Sequence, residues 1–149
     1  MSKHEAHLSW RRTTPTFTYD TYSRDHEVRF GGGASLTTSA APEYRGARER
    51  PNPEEMLVAS LSSCHMLTFL AIAARDGFVV DAYEDAAEGV LEKNEAGRLA
   101  VTRVVLRPRV VFGGDKQPDA ERLAKMHEAA HRGCFIANSV KTDVRVEAA

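Results

Sequence analysis

Cysteine is nearly absent from this chain: its 149 residues hold only two, Cys64 and Cys134. That scarcity excludes a scaffold of structural disulfides, so any disulfide between the two would be transient. An excess of either charge is missing too. The 20 Lys and Arg face 21 Asp and Glu, for a net charge of −1. No broad basic stripe is available to track phosphates, and nucleic acid is not an expected partner. The opening Met1-Ser2-Lys3-His4-Glu5-Ala6-His7 has no apolar segment of the secretory kind, which sets the expectation of a cytoplasmic protein. Repeats and low-complexity tracts are also lacking, and one domain over 1–149 is expected for this length. Long hydrophobic runs are absent with a single exception. Met56 to Ala74 holds no Asp, Glu, Lys or Arg and approaches the length of a membrane span. It also holds Ser60, Ser62, Ser63, His65 and Thr68, and a helix apolar on nearly all sides suits the centre of a soluble domain. A buried core helix is therefore expected, with no membrane partner.

The rest of the chain reads as strands and one more helix. Ala6, Leu8 and Trp10 alternate with polar neighbours, as do Phe17 and Tyr19, then Val28 and Phe30. Gly31-Gly32-Gly33 predicts a turn, Ser35 to Ser39 a further strand, and Pro42 to Pro51 a polar loop with Arg45, Arg48 and Arg50. The long helix has strong start signals: Asn52 as cap, Pro53 in the first turn and Glu55 as the reciprocal capping-box carboxylate. Asp76-Gly77 should end it after Arg75. Val79 to Glu92 and Leu99 to Phe112 predict two long strands joined around Asn94-Glu95-Ala96-Gly97, with Pro108 marking an edge or a bulge. In the second, Val104, Leu106, Val110 and Phe112 share one face, opposite Arg103, Arg107 and Arg109. A helix over 119–132, announced by Pro118 and stopped by Gly133, precedes a last strand over 142–147. Strands, helix, strands, helix, strand make the fold class α+β.

The thiols carry the candidate chemistry. Glu54 and Cys64 are ten residues apart, which on a straight helix is ~15 Å at ~1.5 Å per residue. A helix broken near Ser60 to Ser63 would instead put Cys64 at a helix start, where free N–H groups and the dipole stabilise a thiolate. The other reading is that Cys64 is a small, inert hydrophobe on a core helix. Reactivity requires help, because a thiol of pKa ~8.5 is only a few per cent thiolate at neutral pH. A cation at ~4 Å, at an effective dielectric of ~20, contributes ~4 kcal/mol and could lower that pKa by ~3. One arginine suffices. The candidates are Arg24, in Tyr22-Ser23-Arg24-Asp25-His26, and the loop arginines Arg45, Arg48 and Arg50. A carboxylate such as Glu54 would orient the guanidinium.

His127-Glu128-Ala129-Ala130-His131 spells H-E-x-x-H, the helical arrangement with which zinc proteases hold their metal. Only three of its five positions are specified, and no third ligand sits in a matching motif. The segment is expected to be a solvated helix face with one histidine packed near Cys134, and no metal or other cofactor is expected.

Asn52-Pro53-Glu54-Glu55-Met56-Leu57-Val58-Ala59-Ser60-Leu61-Ser62-Ser63-Cys64 resembles the Asn-Pro-Glu to cysteine segment of the OsmC/Ohr family. His127 to Val146, around Cys134, resembles that family's second cysteine region. The resemblance spans nearly the whole chain in length, order and spacing. It implies an intertwined homodimer in which antiparallel sheets pack around two central helices. It also implies a peroxidase. Cys64 would attack a hydroperoxide, Cys134 would resolve the sulfenic acid, and an external dithiol, for instance of the lipoyl type, would reduce the disulfide. Glu54 matches the family glutamate, and Arg24 resembles the family arginine in its Arg-Asp turn, with Arg45 or Arg48 serving if the alignment slips. His65 and Tyr44-Arg45-Gly46 depart from the organic-hydroperoxide branch, which puts the chain in the wider OsmC-like group. The competing reading is a non-catalytic dimer that binds a small apolar ligand between its central helices, its cysteines buried and inert.

Overall fold

The computed structural model describes residues 1–149, which divide into two compact units, 1–56 and 57–149. The first holds a three-stranded antiparallel sheet of β1 (Ala6–Ser9), β2 (His26–Phe30) and β3 (Ser35–Thr38), with β2 in the middle. Leu8, Val28 and Leu36 lie opposite one another across it. The expected strand at Phe17 and Tyr19 is absent. There the Thr18 carbonyl accepts from the Thr21 and Tyr22 amides, and the Thr18 and Thr21 hydroxyls bond at 2.8 Å. Side-chain hydroxyls that serve nearby backbone groups compete with strand pairing. Trp10, Phe17 and Tyr22 pack over that turn, with ring centroids 5.0 to 6.2 Å apart.

The long helix α1 covers Pro53–Arg75 without a break. Its start is the predicted capping box: the Glu55 amide donates to Asn52 Oδ1 at 2.9 Å, and the Asn52 amide donates to Glu55 Oε1 at 3.1 Å. Its end is a Schellman motif, in which the Phe78 amide donates to the Ala73 carbonyl and the Gly77 amide to that of Ala74. Gly77 makes this turn because its φ of 82° lies where other residues are strained.

In the second unit, β4 (Val79–Asp85) pairs with β7 (Pro108–Gly113), and β5 (Glu88–Lys93) pairs with β6 (Leu99–Leu106), both antiparallel. The two expected long strands are thus one long hairpin interrupted midway, at Ala86-Ala87 on one arm and Arg107 on the other. The Asp85 carboxylate takes the Arg107 amide at 2.6 Å, and Pro108, which has no amide hydrogen, follows. The helix α2 (Ala120–Gly133) is capped by Asp119, whose carboxylate accepts the Arg122 amide at 2.7 Å. It leads to β8 (Asp143–Val146), which joins β6 in parallel, the sole parallel pairing.

Two apolar clusters form the core of this unit. Phe69 and Ala73 of α1 meet Met126 and Ala130 of α2, with Val80, Tyr83, Val110 and Phe112 of the β4–β7 sheet packed against them. Leu61 meets Val104 and Leu106 of β6, flanked by Ile136, Val144 and Val146. The single face predicted for Val104, Leu106, Val110 and Phe112 is divided at Arg107: the first two pack in the Leu61 cluster, the last two against the Phe69 cluster. Helix α1 buries only one side. Leu61, His65, Phe69 and Ala73 recur every four residues and are buried, while Ala59, Ser63, Leu67 and Ala71 are exposed. It is the one helix long and apolar enough to cross a membrane, with 22% of that apolar window buried. The uniformly buried helix read from composition is a two-faced one, and its uncovered face is as apolar as its covered one.

Candidate active site

The two cysteines come together in the second unit. Cys64 lies on α1 and is half-buried; Cys134 is the C-cap of α2 and only 1% exposed. Both are free thiols, close enough for Cys64 to act on the ionisation of Cys134. Burial pushes the Cys134 thiol up in pKa, and the adjacent Cys64 pushes it further. The Ala137 amide, which donates to Cys134 Sγ at 3.4 Å, works in the opposite direction.

Several features of the chain produce this meeting. Helix α1 is unbroken at Ser60 to Ser63, so Cys64 sits mid-helix and the proposed helix-start activation of its thiol is unavailable. The hydroxyls that made a break plausible are satisfied locally. Ser60 donates to the Leu57 carbonyl at 2.8 Å, and Thr68 to the Cys64 carbonyl at 2.9 Å. Ser62 donates to the Asp85 carboxylate at 2.5 Å and so ties α1 to the interruption in the long hairpin. Gly133 has a different use from the one its position suggested. It does not adopt positive φ; a Cβ there would lie 3.2 Å from the Thr68 methyl. The missing side chain lets the end of α2 approach α1 one turn beyond Cys64.

The H-E-x-x-H face is not solvated. His127 is 5% exposed, with Nδ1 3.0 Å from His65 Nε2 and its ring stacked on Phe69 at 4.4 Å. Glu128 points to solvent and His131 is half-buried. No three His, Cys, Asp or Glu side chains converge to hold a metal ion. Burial and the neighbouring His127 and His131 push His65 down to about 4, against a partial upward pull from Asp85. Burial likewise lowers His127. The His65–His127 contact escaped sequence reasoning because 62 positions separate the partners and no motif joins them.

Arg24 and Glu54 belong to the first unit. Arg24 is half-buried, its guanidinium donating to the Tyr22 carbonyl at 2.5 Å and the Tyr19 carbonyl at 2.6 Å. It lies 3.6 Å from the centre of the Tyr22 ring, a cation–π contact. His26 accompanies it, with Nδ1 2.8 Å from the Arg24 carbonyl oxygen and Nε2 2.7 Å from the buried Thr38 hydroxyl. Arg24 forms no ion pair, whereas Arg45 pairs with Asp20 at 2.9 Å and Arg50 with Asp25 at 3.9 Å. Its charge is therefore oriented by carbonyls and rings without being neutralised. Glu54 Oε2 is buried without a hydrogen-bond partner, so the carboxylate does not grip Arg24 here. Arg24 also borders an apolar groove of about 390 Å³ with Trp10, Phe17, Tyr22 and Pro53.

Residues 46–149 match the OsmC family, described as OsmC-like protein. A Bacillus subtilis protein, the uncharacterized YmaD, is 27% identical over 117 residues, 77% of each chain. The peroxiredoxin OsmC of Escherichia coli is 25% identical over 96 residues, 64% of each chain. Among solved structures, an OsmC-like protein of unknown function from Vibrio cholerae is similar throughout: 47% identity, full coverage of both chains and a TM-score of 0.97.

Proposed function

The chain belongs to the OsmC-like protein family, and on that premise we propose that it is a thiol-dependent peroxidase that reduces hydroperoxides, organic ones in preference to hydrogen peroxide. The observation that carries this reading is the meeting of the Cys64 and Cys134 side chains. Cys64, the more accessible, attacks the peroxide as thiolate. A sulfur–oxygen bond forms, the O–O bond breaks, and the alcohol leaves with a proton, so that Cys64 becomes a sulfenic acid. Cys134 then attacks the sulfenic sulfur. The S–S bond forms, and hydroxide departs with the Cys134 proton as water. A dithiol reductant, of the lipoyl type or similar, restores both thiols by exchange. A buried, protonated Cys134 suits this order, since it stays idle until its neighbour is oxidised.

The roles of Arg24 and Glu54 rest on their motifs. Arg24 supplies the positive charge that favours the thiolate, and the open carboxylate oxygen of Glu54 is an acceptor for the guanidinium. The unpaired charge of Arg24 favours it over Arg45. The same reading makes the whole chain one OsmC-like domain, working as a cytoplasmic homodimer in oxidative-stress defence, and the uncovered apolar face of α1 supports the dimer.

Dithiol-dependent consumption of an organic hydroperoxide tests the proposal. Wild type should turn over, Cys64→Ser should lose all activity, and Cys134→Ser should retain part of it with small thiols that replace the resolver. An inert wild type, or a fully active Cys64→Ser, would contradict the mechanism. Two slow thiols that survive peroxide would favour the ligand-binding reading.

A further inference from the structure

The thiol chemistry leaves one buried polar feature unused. His65 on α1 and His127 on α2 are 1% and 5% exposed, and their rings meet edge to edge, with centroids 5.3 Å and planes 6° apart. His65 Nε2 and His127 Nδ1 are 3.0 Å apart, so one donates and the other accepts. The remaining nitrogens, His65 Nδ1 and His127 Nε2, are buried with no partner. Two polar rings that share one hydrogen bond and leave two nitrogens unsatisfied are a poor way to stabilise a core. Apolar rings of similar shape would leave nothing unsatisfied. What the bond does supply is a fixed register between the two helices that carry the thiols.

The geometry suits that use. His65 directly follows Cys64, so the roll of α1 that turns His65 inward also sets the direction of Cys64. His127 precedes Cys134 by seven residues, two helical turns, so the two share a face of α2 about 10 Å apart along its axis. The close approach of Gly133 to Thr68 is a second point of contact near the thiols. Helices held at two points neither slide nor roll freely past one another.

We propose that the His65–His127 hydrogen bond is a positioning contact for disulfide formation, holding Cys134 against Cys64 while Cys64 carries its sulfenic oxygen. This rests on the peroxidase reading. The bond acts on the second step and not on the attack on peroxide. Its effect shows in the competition between Cys134 and a second hydroperoxide molecule, which would take the sulfenic acid on to sulfinic acid.

The test uses the full-length reduced protein and tert-butyl hydroperoxide, with sulfenic acid, disulfide and sulfinic acid resolved by rapid quenching and mass spectrometry. His65→Phe should slow disulfide formation about tenfold and raise the sulfinic fraction in step, with sulfenic acid formation changed less than about twofold. His65→Gln, whose amide can stand near the Nε2 position, should return disulfide formation to within about threefold of wild type. A second arm needs no peroxide. In glutathione buffers the effective molarity of the Cys64–Cys134 pair should fall about tenfold in His65→Phe and recover in His65→Gln. If wild type forms no sulfenic acid, the peroxidase reading fails while the glutathione arm still decides the positioning. Wild-type disulfide formation and effective molarity in His65→Phe would overturn the proposal, and so would a His65→Gln as impaired as His65→Phe. Should His65→Phe not fold, His127→Phe removes the same bond from α2. Failure of both to fold would also overturn it, because the pair would then hold the core and not the thiols.

Discussion

Cys64 and Cys134 are neighbours in unlike surroundings, and the difference assigns them different tasks. Cys134 is 1% exposed and its pKa is raised by burial and by Cys64; Cys64 is half-buried on the helix flank. Alkylation of the native protein at neutral pH, mapped by peptide mass spectrometry, should therefore label Cys64 first and Cys134 far more slowly. The buried histidines give a pH signature at the same scale. Above about pH 6.5 His65 is neutral in both folded and unfolded chains. As pH falls, the unfolded chain takes up the proton first, because burial and the two neighbouring histidines hold folded His65 down to about 4. Stability should thus decline by up to about 3 kcal/mol between pH 6.5 and 4 and flatten below that, with His127 adding in the same direction. Melting temperature against pH reads this, and His65→Gln should flatten the curve. The identities of Cys64 and Cys134 were legible in the sequence. Their meeting was implied only by the family resemblance, and His65–His127 by nothing, because contacts between residues more than sixty positions apart leave no local signal.

Helix α1 shows which interactions a sequence encodes locally. Its capping box and its Gly77 stop lie within a few residues of chain and were both legible. Asn52→Ala should cost about 1 kcal/mol, read by chemical denaturation. Asp85 was not legible. It is an unremarkable strand-end aspartate until folding sets it between the Ser62 hydroxyl and the Arg107 amide, where it divides the long hairpin and anchors α1. Asp85→Ala should destabilise by about 2 to 3 kcal/mol, more than Ser62→Ala at about 1 kcal/mol, because it strands both donors of a charged acceptor. The division of the long strands followed from Pro108 only in part. A proline announces an irregularity, but where the partner strand breaks depends on the side chain across from it. The absent strand at Phe17 and Tyr19 teaches the same lesson: alternation was present, and threonine hydroxyls close to the backbone prevailed.

At the scale of the molecule, α1 carries an apolar face that the single chain leaves uncovered, including Leu67 at 61% exposure. The α+β class and the order of elements were readable from patterning, and the resemblance in the two cysteine regions agrees with membership of the OsmC-like family. A composition without charge from Met56 to Ala74 could not distinguish a helix buried all round from one covered on one side only. In the proposed homodimer the second side meets the partner, and Leu67→Glu should shift sedimentation toward the monomer and lower the melting temperature by several degrees.

The central claim is that Cys64 and Cys134 form one redox unit. Treating the reduced protein with one equivalent of tert-butyl hydroperoxide, then counting free thiols and mapping peptides without reductant, tests it most directly. Loss of both thiols and recovery of a single Cys64–Cys134 linked peptide are expected. Two thiols that still titrate after treatment would contradict the claim.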